Sequence, residues 1–393
     1  MNNKGIIGSI IGDIVGSRFE FNNYRSTDFQ FFNDKCFFTD DTVMTIAITD
    51  WITNKIKTQK LISSYMREWG RKYTDRGYGG MFFRWLFSRE LLPAYNSFGN
   101  GSAMRVSPCG FYAQTLDEAL LLAKQSAEVT HNHPEGIKGA QSVAAAIYLA
   151  KTSNTKDIIK EYIEQNFGYD LSRTCDEIRR VYKFNETCQE TCPEAIIAFL
   201  ESHDYESAIR LGISLGGDSD TIGAITGGIA AAYYGVPDSI IEDVKRFIPY
   251  EFIDIIEKFE NSMDKRKRIS PDLINNLKEN EIFVFGSNLE GMHGGGAARA
   301  AYNKFGAIWG QGAGLQGQSY GIPTMHGGVD VIKPYVDEFI NFAKSHPQLK
   351  FLVTRIGCGI AGFKDEEIAP LFQDAFEIEN IYLPKSFYDI LVK

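Results

Sequence analysis

The sequence predicts a multidomain chain, with an all-α bundle followed by a smaller α/β domain. Three observations carry that expectation. The 393 residues exceed what one ordinary hydrophobic core holds together. Two clusters of carboxylates and hydroxyls, Thr39-Asp40-Asp41-Thr42 and Gly217-Asp218-Ser219-Asp220-Thr221, each stand directly before an apolar helical run. Beyond residue 280 the composition changes: 16 of the 37 glycines fall in residues 281–393, between strand-like and helix-like runs.

Hydrophobic residues make up 44% of the chain and charged residues 23%, an ordinary globular balance. A net charge of −9 argues against a protein that coats nucleic acid. The six cysteines form no zinc-type pairs and no dense framework, which points to a reduced, cytoplasmic setting. No apolar stretch reaches about 18 uninterrupted residues, so no membrane association is expected. Asp13, Arg18 and Glu20 interrupt the apolar N-terminus, and Gly5–Val15 therefore reads as a helix rather than a secretion signal.

Along the chain, glycines at positions 5, 8, 12 and 16 give that first helix a smooth face for close packing. Glu20 follows among aromatic residues, where burial would raise its pKa toward values useful for proton transfer. An exposed loop glutamate is the plain alternative. Thr39–Thr42 opens a helix through Ile52, and residues 50–95 supply Trp, Tyr and Phe to a core. Ser97–Arg105 is a glycine loop entering a helix, whose backbone N–H groups and hydroxyl can hold a diphosphate. His131 and His133 precede a helix from Gly136 to Leu149. All other candidate ligands are oxygen donors, so His131 reads as a substrate contact and His133 as structural.

The Gly216–Gly223 turn enters the small-residue run Ala224–Ala232, which reads as a central, buried helix. One acid at such a tip caps the helix; a second has no capping duty. Two buried carboxylates repel unless a cation lies between them. If the two tips meet, four carboxylates and two threonine hydroxyls form an all-oxygen shell. That shell suits Mg²⁺ or Mn²⁺ ahead of Ca²⁺, disfavours zinc and copper, and carries enough charge for two ions. Two separate helix caps that never meet are the alternative.

A first domain is expected over residues 1–262, a polar connector over 263–280 and a second domain over 281–393. Lys265-Arg266-Lys267-Arg268 in the connector is too short to read as a nucleic-acid patch. Glu281–Phe285 reads as a buried strand ending in Gly286-Ser287-Asn288. His293-Gly294-Gly295-Gly296 then precedes a helix from Ala297 to Lys304. Phe351–Arg355 is a second strand, ending in Gly357-Cys358-Gly359-Ile360-Ala361-Gly362. Glycine loops at strand ends usually cradle phosphate. Gly312-x-Gly314-x-x-Gly317 precedes an extended stretch, not a helix, so it is no dinucleotide fingerprint.

Ile11-Gly12-Asp13-Ile14-Val15-Gly16 with Glu20, Thr39-Asp40-Asp41-Thr42, Gly99–Arg105, Thr130-His131 and Gly217–Thr221 occur in an order that resembles the ADP-ribosylglycohydrolase family, over roughly the first two-thirds of the chain. These are all-helical enzymes related to the hydrolase that reactivates ADP-ribosylated dinitrogenase reductase. The resemblance implies a hydrolase that cleaves at the anomeric carbon of the distal ribose. Its products are ADP-ribose and an unmodified protein or nucleic acid. It implies two Mg²⁺ ions, with Mn²⁺ as substitute, on Thr39, Asp40, Asp41, Asp218, Asp220 and Thr221. Glu20 and Asp218 are implied as catalytic, and Asn100, Gly101, Ser102 and His131 as substrate contacts. The second domain resembles a divergent macrodomain, an ADP-ribose-binding module, through Asn288, Gly294, Gly295 and Gly296, and Gly357, Cys358, Gly359, Ile360, Ala361 and Gly362. A generic phosphate-binding α/β domain is its alternative. Two rivals stand beside the hydrolase: a non-catalytic ADP-ribose or partner binder, such as a toxin neutraliser, and hydrolysis by the second domain on a different linkage.

Overall fold

The computed structural model describes residues 5–54, 59–266 and 268–391. The chain divides into two compact units, Met1–Glu260 and Asn261–Lys393. Among the described residues no helix is long and apolar enough to cross a membrane.

The first unit is helical. Its axis is a pair of helices, Gly5–Gly16 and Ser219–Tyr234, and every residue of the first and nearly all of the second are buried. The glycine spacing creates this pair. A Cβ placed on Gly12 would lie 1.9 Å from the carbonyl oxygen of Gly223, one on Gly8 2.7 Å from that of Gly227, and one on Gly16 2.4 Å from that of Ser219. The two backbones touch with no side chain between them, and the order of these contacts makes the helices antiparallel. Ser9 Oγ closes the seam on the Ala224 carbonyl at 2.9 Å. The C-terminal end of the first helix therefore lies against the N-terminal tip of the second.

The helix Asp40–Thr53 joins them at the same end. Its tip is tied down by Asp13, which is completely buried and accepts from Thr39 N (3.0 Å), Thr39 Oγ1 (2.8 Å), Thr42 N (3.1 Å) and Thr42 Oγ1. One carboxylate thus satisfies donors that a helix N-terminus otherwise leaves unpaired. Three helix ends converge at one place.

The second unit is a mixed six-stranded sheet: β1 (Ile269–Ser270), β2 (Glu281–Ser287), β3 (Gly314–Gln316), β4 (Ser319–Pro323), β5 (Lys350–Val353) and β6 (Ile381–Pro384). The order is β1-β6-β5-β2-β4-β3, parallel except for β3 against β4. Alternation along β2 sends Phe283 and Phe285 to one face, under the helix Gly296–Lys304, and Ile282 and Val284 to the other, under Val329–Ser345. The stretch read as a connector departs from that reading. The helix beginning at Tyr250 runs to Arg266, and Ile269–Ser270 pairs with Leu383 and Pro384 as the edge strand.

Candidate active site

Gly216 and Gly217 both have positive φ, +78° and +74°, and that turn delivers Asp218 to the tip of the central helix. Asp218 stands at the N-cap position but its side chain accepts no capping bond. The routine capping explanation therefore fails for the residue best placed to have it. Asn100 Nδ2 holds Asp218 Oδ2 at 2.7 Å and also reaches Thr191 Oγ1 at 3.2 Å. Asp220 Oδ1 accepts from the adjacent Thr221 N at 3.0 Å, and its carboxyl shares a hydrogen bond with Asp218.

The two acidic tips meet. Thr221 Oγ1 donates to Asp41 Oδ2 at 3.3 Å, across 180 residues of chain, while Asp41 Oδ1 is buried with no hydrogen-bond partner. Carboxylate oxygens of Glu20, Asp218 and Asp220 all lie within 4.8 Å of one another. Thr39 Oγ1 donates to Asp13 and accepts from Asp41 N at 3.3 Å, so one lone pair of this cap remains free. Asp40 is partly exposed at the rim, close enough to Asp220 and Glu20 for each charge to be felt.

Electrostatics follow from burial. Asp40, Asp41 and Asp220 are held well above the ordinary carboxylate range, first by burial and then by neighbouring charge, that of Asp220 and Asp13 for the first two and of Asp218 and Asp13 for the third. Asp13 and Asp218 are raised by burial against the pull of their hydrogen bonds. Half-buried Glu20 is pushed up to about 8 by burial, then by Asp220, Asp13 and Glu186. A cluster that resists ionisation, built only of oxygen donors and holding an orphaned buried carboxylate oxygen, has the composition of a hard-cation site.

The glycine loop differs from its expected form. The helix after it, Gly101–Met104, has only four residues, so its dipole is small. Ser102 is fully buried and its hydroxyl donates to the Gly136 carbonyl at 2.7 Å, turned away from solvent. What the loop offers is backbone. His131 packs against it: a Cβ on Gly101 would stand 3.2 Å from His131 Nε2. Arg105, also fully buried, donates to Gly101 O (2.8 Å), Ser126 O (2.9 Å) and Thr130 Oγ1 (3.0 Å). Thr130 Oγ1 lies 2.8 Å from His131 Nδ1. That contact ties Nδ1 into the buried Arg105–Thr130 chain and leaves Nε2 beside the Gly101 turn. Burial and the Arg105 charge keep the imidazole neutral. His133 caps the helix Pro134–Lys151 through Nδ1, a structural role.

Several contributors carry no sequence signal of their own. Asn23 takes the Gly217 N–H on Oδ1 (2.8 Å) and donates through Nδ2 to Gly217 O and Glu20 O (both 2.9 Å), pinning the Glu20 loop to the Gly216-Gly217 turn. Arg25 staples the same turn through Leu215 O (2.8 Å) and Tyr182 O (2.6 Å). The charge of exposed Glu186 reaches both Glu20 and Asp218.

In the second unit, Gly294, Gly295 and Gly296 line one cavity together with Gly357, Gly359, Ile360 and Ala361. Asn288 also lines it, and its amide is held by its own loop, with Nδ2 on Met292 O (3.2 Å) and Oδ1 on Met292 N (2.8 Å). Cys358 packs against the core, neither it nor Gly362 lines the cavity, and burial pushes the thiol up to about 12.

Residues 4–269 match the ADP-ribosylglycohydrolase family. The chain is 26% identical to the ADP-ribosylhydrolase ARH3 of Mus musculus, a likeness covering 60% of this chain and 84% of that protein. It is 24% identical to the ADP-ribosylarginine hydrolase Tri1 of Pseudomonas putida (strain GB-1), covering 59% and 70%. A solved structure, an ADP-ribosylglycohydrolase-related protein complex, is 22% identical with a TM-score of 0.49, covering 67% of this chain and 95% of that one.

Proposed function

The chain belongs to the ADP-ribosylglycohydrolase family, and from that premise we propose that it is a metal-dependent hydrolase releasing ADP-ribose from a modified protein or nucleic acid, by cleavage at the anomeric carbon of the distal ribose. The observation that carries this reading is the meeting of the two acidic tips, with Asp41 against Thr221 and Glu20 against Asp218 and Asp220.

In this reading Thr39, Asp40, Asp41, Asp218, Asp220 and Thr221 hold two Mg²⁺ ions, which Mn²⁺ can replace. The fit rests on the all-oxygen donor set and the orphaned Asp41 Oδ1. When bound, such ions neutralise the acids and polarise ribose hydroxyls and a water. The remaining work belongs to the chain. Asn100 fixes the rotamer of Asp218. The Gly99–Gly101 backbone and His131 receive the diphosphate, a role that the buried Ser102 supports only by shaping the loop. Glu20, half-buried against Asp218 and Asp220, gives a proton to the leaving atom and recovers one from the attacking water; Asp218 shares that duty.

We also propose that the second unit is macrodomain-like and binds ADP-ribose at its glycine turns, and that the protein works in the cytoplasm. Asp218→Asn should lose metal binding and activity together, with kcat falling by about a hundredfold or more. Full turnover of ADP-ribosylated substrate by that variant in metal-stripped buffer removes the proposed centre. A panel of arginine-, serine-, acidic-residue- and nucleic-acid-linked substrates identifies the bond cleaved.

A further inference from the structure

The second unit contains a cavity of about 290 Å³ at the carboxyl ends of its strands. Its position follows from topology. The chain leaves β2 across the Phe283 and Phe285 face toward β4 on one side. It leaves β5 across the opposite face toward β6 on the other. Neighbouring parallel strands whose connections depart in opposite directions open a crevice at their carboxyl ends, the usual ligand site of such sheets. Here that crevice is bounded by Gly286–Asn288 at the end of β2 and Thr354–Gly357 after β5.

The lining is unusual in what its side chains are already doing. Ser287 Oγ donates to Asn288 O at 3.2 Å, Thr324 Oγ1 to Ser287 O at 3.4 Å, and Thr354 Oγ1 to Val284 O at 2.9 Å. Asn288 closes its own loop. Arg355 is gripped by both oxygens of Asp365, at 3.1 and 2.7 Å. Among the described residues the cavity is lined by no carboxylate, imidazole or thiol. Beside Arg355 Nη1, which takes no part in the grip of Asp365, the donors left over include backbone N–H groups at the tip of the helix Gly296–Lys304, which no side chain caps, and at the Gly357 turn. Around the mouth stand three exposed apolar side chains, Met292, Met325 and Ile360, the last 75% exposed and reaching across Gly295. Backbone donors beside the Arg355–Asp365 pair, with no acid on the lining itself, suit a diphosphate, and an apolar rim suits a flat base.

Hydrolysis of a glycosidic bond needs a group that moves a proton or attacks carbon. This cavity has none free. Resting on the reading that the second unit takes ADP-ribose, we propose that it is a reader without chemistry, holding the nucleoside diphosphate and releasing it uncleaved.

The test uses the full chain. A Cβ on Gly294 or Gly359 meets nothing within 4 Å, so Gly294→Asp and Gly359→Asp place a carboxylate in the cavity without collision, and Gly294→Ala is the neutral control. Asp218→Asn/Asp220→Asn removes the first site's activity. That double variant should bind ADP-ribose in calorimetry, and adding Gly294→Asp or Gly359→Asp should weaken binding at one site at least tenfold while Gly294→Ala does not. It should hydrolyse none of the four linkages above the enzyme-free rate. Residual hydrolysis that Gly294→Asp abolishes overturns the reader and leaves the site standing. Binding indifferent to both aspartates overturns the site itself.

Discussion

Asp13 shows how one residue sets up a site it does not line. Four donors from Thr39 and Thr42 converge on its carboxylate, and these bonds hold the tip from which Asp40 and Asp41 project. Asp13→Asn turns an amide N–H toward groups that are themselves donors. The loss should be about 2–4 kcal/mol, read from the urea midpoint, because buried bonds to a charged acceptor are worth more than neutral ones. A variant that unfolds at the wild-type midpoint removes Asp13 from this role. Titration offers a second check. An acid whose native pKa exceeds its unfolded value binds more protons folded than unfolded, so the stability it contributes falls as pH rises from the ordinary carboxylate range to the native value. For Glu20 that value is about 8, and Asp40, Asp41 and Asp220 shift the same way. Chelator-treated protein should therefore melt several degrees lower at pH 8 than at pH 5.5, at about 2–4 °C per kcal/mol. Saturating Mg²⁺ should erase the difference and Asp220→Asn should shrink it; a metal-free melting temperature that climbs over this range contradicts the cluster. The paired acids were legible because a helix tip needs only one. Asn23 and Glu186 were not, because their roles come from loops that fold back onto the turn, with no local pattern to mark them.

At the scale of elements, the paired helices decide whether the site exists. Each is built from small residues at three- and four-residue spacing, and that spacing was readable as a close-packing face. The antiparallel register was not, since nothing in either stretch alone says which glycine meets which carbonyl. The structure gives the register a measurable consequence. Gly12→Ala puts a methyl 1.9 Å from a backbone oxygen that cannot rotate away, whereas Gly228→Ala meets only side-chain carbons, Ser107 Cβ at 3.3 Å, Ile147 Cδ1 at 3.4 Å and Ser9 Cβ at 3.7 Å. Gly12→Ala should cost about 3 kcal/mol, at the upper end of overpacking, and reduce activity beyond the loss of folded protein by moving Glu20 from Asp218. Gly228→Ala should cost under about 1 kcal/mol. Urea titration beside specific activity at matched folded fraction reads both. Equal costs would mean that the helices slide apart freely. The glycine loop before Arg105 gave the opposite lesson. Its composition announced a diphosphate cradle with a helix behind it, but the helix stops after four residues, and the serine hydroxyl is spent on Gly136. Composition does not encode how far a helix runs before packing ends it.

For the whole molecule, the alternation of glycine turns with strand-like runs was enough to expect a second α/β unit. Strand order was not, because parallel neighbours are chosen by packing on both faces of the sheet. A two-residue edge strand such as Ile269–Ser270 has no periodicity to detect, and so the connector appeared longer than it is. The family match ends at residue 269, just as this second sheet begins, so the second unit is understood through its own cavity. If each unit holds its own ligand, hydrogen exchange on the intact chain should separate them. Mg²⁺ alone should slow exchange around Asp13, Thr39–Thr42 and Gly216–Thr221, where cations would replace mutual repulsion, and should leave the turns after β2 and β5 untouched. ADP-ribose with chelator should instead protect Ser287–Ala298 and Thr354–Ala361. That second pattern should survive Asp218→Asn/Asp220→Asn and shrink by about half or more with Gly294→Asp. Protection by a saturating ligand scales as its binding free energy, about 2.7 kcal/mol at a hundred times Kd, well within the range of exchange. Mg²⁺-dependent protection at the second cavity, or ADP-ribose protection confined to the first unit, would dissolve the division of labour, leaving the α/β unit a structural appendage to a single hydrolase site.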